Sequence, residues 1–245
     1  TTVFWPRASS TQYHVNKDIP AHQIPNQAVH LLSGPGALEH DDIVKQLKDN
    51  TPANQAKLQE SSNHALGTVV DFLFDNHIKQ VLALGSDRED YAEDPFNFKF
   101  FDYISKTHTF QQNGTQYTIT PADQTVQNTD DKIRKKAITV TKGDQQQTIT
   151  SYQIPDMKDM GVVEFSDNDY HTLLEIYQNA YAADTKSPLA IHCSGGLGRT
   201  GAIALAFQVL HDWDAIFAST PDEDLSTAAT DKIAKTLDTF RLVRN

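Results

Sequence analysis

Cysteine is almost absent from this chain: Cys193 is the only one in 245 residues. No intramolecular disulfide can form, so nothing in the fold asks for an oxidising compartment, and a reducing, cytosolic setting is the natural expectation. Basic residues are also scarce, with 21 Lys and Arg against 32 Asp and Glu and a formal charge of −11. A field of that sign repels nucleic acid and anionic membranes, which argues against a polyanionic partner. The one basic cluster, Lys132-Ile-Arg-Lys-Lys136, reads as a solvated strand edge. No apolar run approaches the ~18 to 20 residues that span a bilayer, so no integral membrane segment is expected. The start of the chain lacks the charged-then-apolar layout of a signal peptide. It opens on Thr1 rather than Met, however, as a trimmed or processed product would, so the missing signal carries no weight.

What is present suffices for one domain: 38% of the chain is apolar, and α/β units of this size are ordinary. The first forty residues, with Pro6, Pro20, Pro25 and Pro35, read as extended segments and turns. Apolar residues at three and four spacing predict helices over 40–50 and 64–77, the second with Leu66, Val69, Val70 and Leu73 on one face. A buried strand follows over 78–86, then an aromatic-rich loop over 91–104. Three β-type runs, TQYTIT, KAITVTK and QTITSYQI, alternate and are separated by turn residues such as Asn113-Gly114 and Gly143-Asp144, predicting an antiparallel meander. An amphipathic helix over 167–184, capped at Ser166 or Asp167, leads to the strand PLAIH, a Gly-rich loop and the helix GAIALAFQVLHDW. A last helix carries Ile233, Leu237 and Phe240. The expected fold class is α/β, a twisted mixed sheet with helices on both faces.

The Gly-rich loop fits two phosphate-binding templates. Gly196-Leu-Gly198-Arg-Thr-Gly201 satisfies G-x-G-x-x-G, and acids at Asp222, Glu223 and Asp224 lie about twenty residues on, as a dinucleotide site requires. That reading fails on context, because a dinucleotide fold needs several further βαβ units after this loop, whereas only about twenty residues remain after the acids and they read as one helix. It also leaves Cys193 and Arg199 without a role. The alternative, Cys193 followed after five residues by Arg199 and Thr200, uses every residue. Inward-facing N–H groups of Ser194, Gly195, Gly196, Leu197, Gly198 and Arg199, with the positive end of the following helix, favour an anion at the loop's centre, a thiolate or a bound phosphate alike. Such a thiolate attacks phosphorus without a separate base. Arg199 offers a planar fork of donors to two phosphoryl oxygens, a geometry that Lys cannot copy. Thr200 can place its hydroxyl on the sulfur as it leaves. His192 orients the loop by hydrogen bonds rather than acting as a base. The glycines let the backbone close around a tetrahedral dianion.

At these residues the chain resembles the protein tyrosine phosphatases, whose His-Cys-x5-Arg-Thr-Gly signature is matched by HCSGGLGRTG. The resemblance implies a single phosphatase-like catalytic domain over 1–245, with 1–28 a divergent N-terminal segment. Family members carry a Trp-Pro-Asp loop upstream of the cysteine; here Pro155-Asp156 stands at a fitting distance, with Ile154 in place of Trp. The resemblance thus makes Asp156 the general acid and base, with Asp159 as its rival. It also implies that Glu89, or else Glu93, buttresses Arg199, and that Lys99 with Tyr103 forms the family's Lys-x3-Tyr element. Ser33-Gly-Pro35 is similar to the family's Gln-Gly-Pro turn, and FRLVR over 240–244 to its closing Arg-x2-Arg helix. A loop whose glutamines position the hydrolytic water is expected to be absent, since the sequence stops at Asn245.

The resemblance implies hydrolysis of phosphotyrosine in proteins through a cysteinyl-phosphate intermediate, with no cofactor and no metal. The uncharged Ser194, Gly195, Gly196 and Leu197 favour this over inositol phosphates or phosphoinositides, whose phosphatases place Lys in the loop. A non-catalytic phosphotyrosine-binding module is the third reading. A monomer is expected. The Gln- and Asn-rich composition points to a divergent bacterial member, an effector delivered into a host cytosol.

Overall fold

The computed structural model describes residues 12–14, 20–23, 29–32, 51–85, 106–122, 131–157, 163–181, 187–193 and 198–218, with Thr227 and Thr230. Its centre is a nine-stranded mixed sheet. Three short strands, β1 (Gln12–His14), β2 (Pro20–Gln23) and β3 (Val29–Leu32), pair antiparallel in turn. Parallel pairing then carries the sheet from β3 to β9 (Leu189–His192), from β9 to β4 (Gln80–Leu84) and from β4 to β8 (Gln145–Ile154). Antiparallel β7 (Arg134–Lys142), β6 (Thr115–Pro121) and β5 (His108–Gln112) complete it.

The predicted meander is present, extended by β5, which the sequence reading left out. Asn113 and Gly114 both take positive φ, 50° and 77°, as the two-residue hairpin between β5 and β6 requires. The N-terminal extended segments supply three strands of the same sheet. The basic run over 132–136 enters β7 beyond the end of β6, whose pairing stops at Pro121↔Ile138, so among the described residues 134–136 pair only with β8, and Arg134 and Lys135 are exposed, as the solvated-edge reading expects. Alternation sends Lys135 to one side, where its ammonium meets Glu175 at 2.7 Å, while the segment before the strand carries Lys132 beside Asp156.

Helix α1 (Pro52–Asp75) begins twelve residues ahead of the helix expected over 64–77. Thr51 caps it, its side chain accepting from Asn54 N–H at 3.3 Å, and Pro52 needs no partner for a missing N–H. Its other end closes with Ile78 N–H on Leu73 C=O and His77 N–H on Phe74 C=O, with His77 at φ 52° where glycine is usual. That turn feeds straight into β4. α1 packs Leu66, Val70 and Leu73 against Val81, Ala83, Ile138 and Ala190. On the opposite face, Ile176 and Ala180 of α2 (Asp167–Tyr181) and Ile203, Ala204 and Phe207 of α3 (Gly198–Ala218) cover Leu82, Leu84, Leu189 and Ile191. β4 and β9 are thus buried on both sides, which explains the unbroken apolar runs over 81–84 and 189–191 within them. The helices predicted over 40–50 and near the C-terminus lie outside the described residues. Among the described residues no helix is long and apolar enough to cross a membrane.

Candidate active site

The parallel strands end level with one another. Leu84 pairs with Ile154 and Ala83 with His192, so Cys193, the next residue after β9, stands in the same row as Leu84 and Ile154. Ligands of open α/β sheets bind beyond this carboxyl edge. Cys193 is buried in the cluster that α2 and α3 cover. Five residues later α3 starts at Gly198, so the thiol and the positive end of a 21-residue helix are separated only by Ser194, Gly195, Gly196 and Leu197. Those four lie outside the described residues, as do Glu89, Lys99 and Asp159.

Arg199, in the first turn of α3, is buried, and its Nη1 donates to the carbonyl of Met157 at 3.0 Å. Burial lowers its pKa, the ordinary cost of desolvating a cation, but a guanidinium keeps its proton. Thr200 beside it is fully buried, and its hydroxyl has no hydrogen-bond partner among the described residues. His192 is enclosed on the other side of the thiol. Burial brings its pKa down to about 4, against a backbone hydrogen bond with Cys193 that favours the charged form. At neutral pH the ring is uncharged, and it is placed to orient the strand end.

Asp156 sits in a tight turn, Ile154-Pro-Asp-Met157, closed by Met157 N–H on Ile154 C=O at 3.3 Å with proline at the second position. Arg199 grips this turn through Met157, so the structure brings the backbone of the Pro155-Asp156 turn and Arg199 together. The Asp156 carboxylate itself faces outward, its side chain 64% exposed and its Oδ2 3.7 Å from Lys132 Nζ.

The sequence reading missed Asp169. It lies at the third position of α2, buried, and is bonded reciprocally to the cap: Asp169 N–H donates to Ser166 Oγ, while Ser166 N–H and Oγ–H donate to Asp169 Oδ2. Its Oδ1 accepts from Lys132 N–H and Ile133 N–H, both at 2.9 Å. Burial alone would raise its pKa, but the hydrogen bonds from Ser166, Ile133 and Lys132 outweigh it and hold the carboxyl below its ordinary value. The Ser-x-x-Asp spacing at 166–169 was the available signal; its reach to residues 132 and 133 was not visible in the chain order. Among the described residues no group of three or more His, Cys, Asp or Glu is placed to hold a metal ion.

A sequence model described as protein-tyrosine phosphatase matches residues 62–241, from within α1 to beyond the loop and α3. A search of curated proteins returns no match. Among solved structures, the Trypanosoma cruzi protein tyrosine phosphatase TcPTP1 is similar at 19% identity with a TM-score of 0.50, over 68% of this chain and 55% of that one. The Trypanosoma brucei protein tyrosine phosphatase TbPTP1 shows 21% identity and 0.49, over 74% and 66%. The catalytic domain of human protein tyrosine phosphatase non-receptor type 18 shows 21% and 0.47, over 73% and 62%. This chain therefore spans between 55% and 66% of the length of these three. At such identity the first likeness speaks for the fold alone. The family match runs over well over half of the chain and takes in the strand, the cysteine loop and the helix that carries Arg199. The chain belongs to the protein-tyrosine phosphatase family.

Proposed function

We propose that the protein hydrolyses phosphotyrosine in proteins through a cysteinyl-phosphate intermediate. The observation that carries this reading is the placement of Cys193 at the strand end and Arg199 in the first turn of α3, with Arg199 holding the Pro155-Asp156 turn through Met157. Phosphate enters above Cys193, cradled by the N–H groups of Ser194, Gly195, Gly196, Leu197 and Gly198 and by the Arg199 fork. The sulfur attacks phosphorus as the bond to the tyrosine oxygen breaks, and the leaving oxygen takes a proton from Asp156 once that turn has closed inward. Water then attacks phosphorus, giving its proton back to Asp156. The P–S electron pair returns to Cys193, eased by the Thr200 hydroxyl.

His192, neutral and enclosed, orients the loop. Glu89 buttresses Arg199 and Lys99 is a supporting residue in this proposal; should Asp156 prove dispensable, Asp159 takes the acid role. A thiol nucleophile works only while reduced, so the reading includes a reducing environment. The direct test is release of 4-nitrophenol from its phosphate in the presence of EDTA. Activity that Cys193→Ser abolishes supports the enzyme, and no release by the wild type leaves only a binding module. Phosphotyrosyl peptides compared with inositol phosphates then decide the substrate; faster turnover of the inositides refutes the tyrosine assignment.

A further inference from the structure

We propose that Lys132 is a positioning residue acting through Asp156, a catch that holds the acid's carboxylate in its solvent-facing pose while Asp169 fixes the backbone that carries the catch. This rests on the reading of Asp156 as the general acid. The geometry has three parts. Lys132 Nζ lies 3.7 Å from Asp156 Oδ2, the one ion pair that reaches the proposed acid among the described residues. The segment bearing Lys132 is pinned on the first turn of α2: Asp169 Oδ1 takes the N–H groups of Lys132 and Ile133, and Asn168 Nδ2 donates to Asp131 Oδ2 at 2.7 Å. The acid turn follows β8, and the chain running on from it reaches the same helix start at Ser166, which Asp169 also holds through two hydrogen bonds.

The acid therefore rides between the end of β8 and the Met157 carbonyl that Arg199 holds, while its carboxylate is drawn to a lysine whose backbone Asp169 anchors. An ion pair needs Asp156 ionised, whereas the first chemical step needs it protonated and turned toward the leaving oxygen. Both cannot hold at once, so Lys132 opposes the catalytic pose. The side chains are 43% and 64% exposed, so the pair is weak and open to screening by salt.

The test compares wild type, Lys132→Met, Lys132→Arg and Asp156→Asn on two substrates, 4-nitrophenyl phosphate and phenyl phosphate, at low and high sodium chloride. Phenolate needs protonation far more than nitrophenolate, so the ratio of the two kcat values reports on the acid rather than on folding or binding. Lys132→Met is expected to raise kcat on phenyl phosphate about two- to fivefold, the reach of an exposed pair, with KM and the nitrophenyl rate little changed. High salt should raise the same ratio in the wild type and in Lys132→Arg, and leave it flat in Lys132→Met. If Lys132→Met matches the wild type, or lowers both substrates equally, while Asp156→Asn loses chiefly phenyl phosphate, the catch is wrong and the acid assignment stands. If Asp156→Asn shows no such selectivity, the acid assignment fails and takes the catch with it.

Discussion

Acid should destabilise this protein well above the range in which its carboxylates titrate, because two histidines are built into the sheet uncharged. His30 on β3 and His192 on β9 are both buried, His30 edge-on to Phe72 with ring centroids 5.5 Å apart. Burial brings each ring's pKa down from 6.5 to about 4. The unfolded chain therefore binds protons that the folded one refuses, so stability is complete above 6.5 and falls as pH drops toward 4. At ~1.4 kcal/mol per unit, each ring costs about 2 kcal/mol between roughly pH 7 and pH 5, and the pair about 4 kcal/mol. Against a typical total of ~5 to 15 kcal/mol that loss is large. Asp169 adds nothing in this window, because a depressed carboxyl gives up its contribution only below its ordinary value of 3.8. Urea titrations followed by circular dichroism at the two pH values measure the loss directly, and His30→Phe should remove about half of the pH slope. Equal stability at both pH values, or an NMR titration placing either folded ring near 6.5, would refute the reasoning.

Replacing Arg199 by Lys keeps the charge and loses the fork, so kcat/KM on a phosphotyrosyl peptide should fall by about a hundredfold or more while the melting temperature barely moves. Asp156→Asn should lower kcat by ~10² to 10⁴ and remove the basic limb of the pH–rate profile; a limb that survives there but vanishes in Asp159→Asn moves the role. Asp169→Ala strands the N–H groups of Lys132, Ile133 and Ser166 in a buried setting and should cost about 3 kcal/mol or more in chemical denaturation, an effect that a surface carboxylate would not show.

Much of this molecule was legible in chain order because the relevant forces act over short sequence distances. Strand β9, the four-residue loop and α3 are contiguous, so residues 188 to 210 announce a strand, an anion cradle and a helix dipole without help from elsewhere. The meander was readable for the same reason, since Asn113-Gly114 and the alternating runs encode hairpins locally. The start of α1 was missed: the apolar stripe placed the helix at 64, whereas the structure starts it at Pro52 behind the Thr51 cap.

Contacts between distant segments were decided by the tertiary fold. That Arg134 and Lys135 stay exposed while Ile138 and Val140 of the same strand are buried depends on where β6 stops beside β7. The four hydrogen bonds on the Asp169 carboxylate join residues 36 and 37 positions apart as well as its own cap. His30 and His192 are neutral because two strands far apart in sequence both pair with buried neighbours and exclude water from their rings. Sequence specifies which groups can ionise, donate or attack; which of them lose water, and beside whom, is settled only when the sheet closes around them.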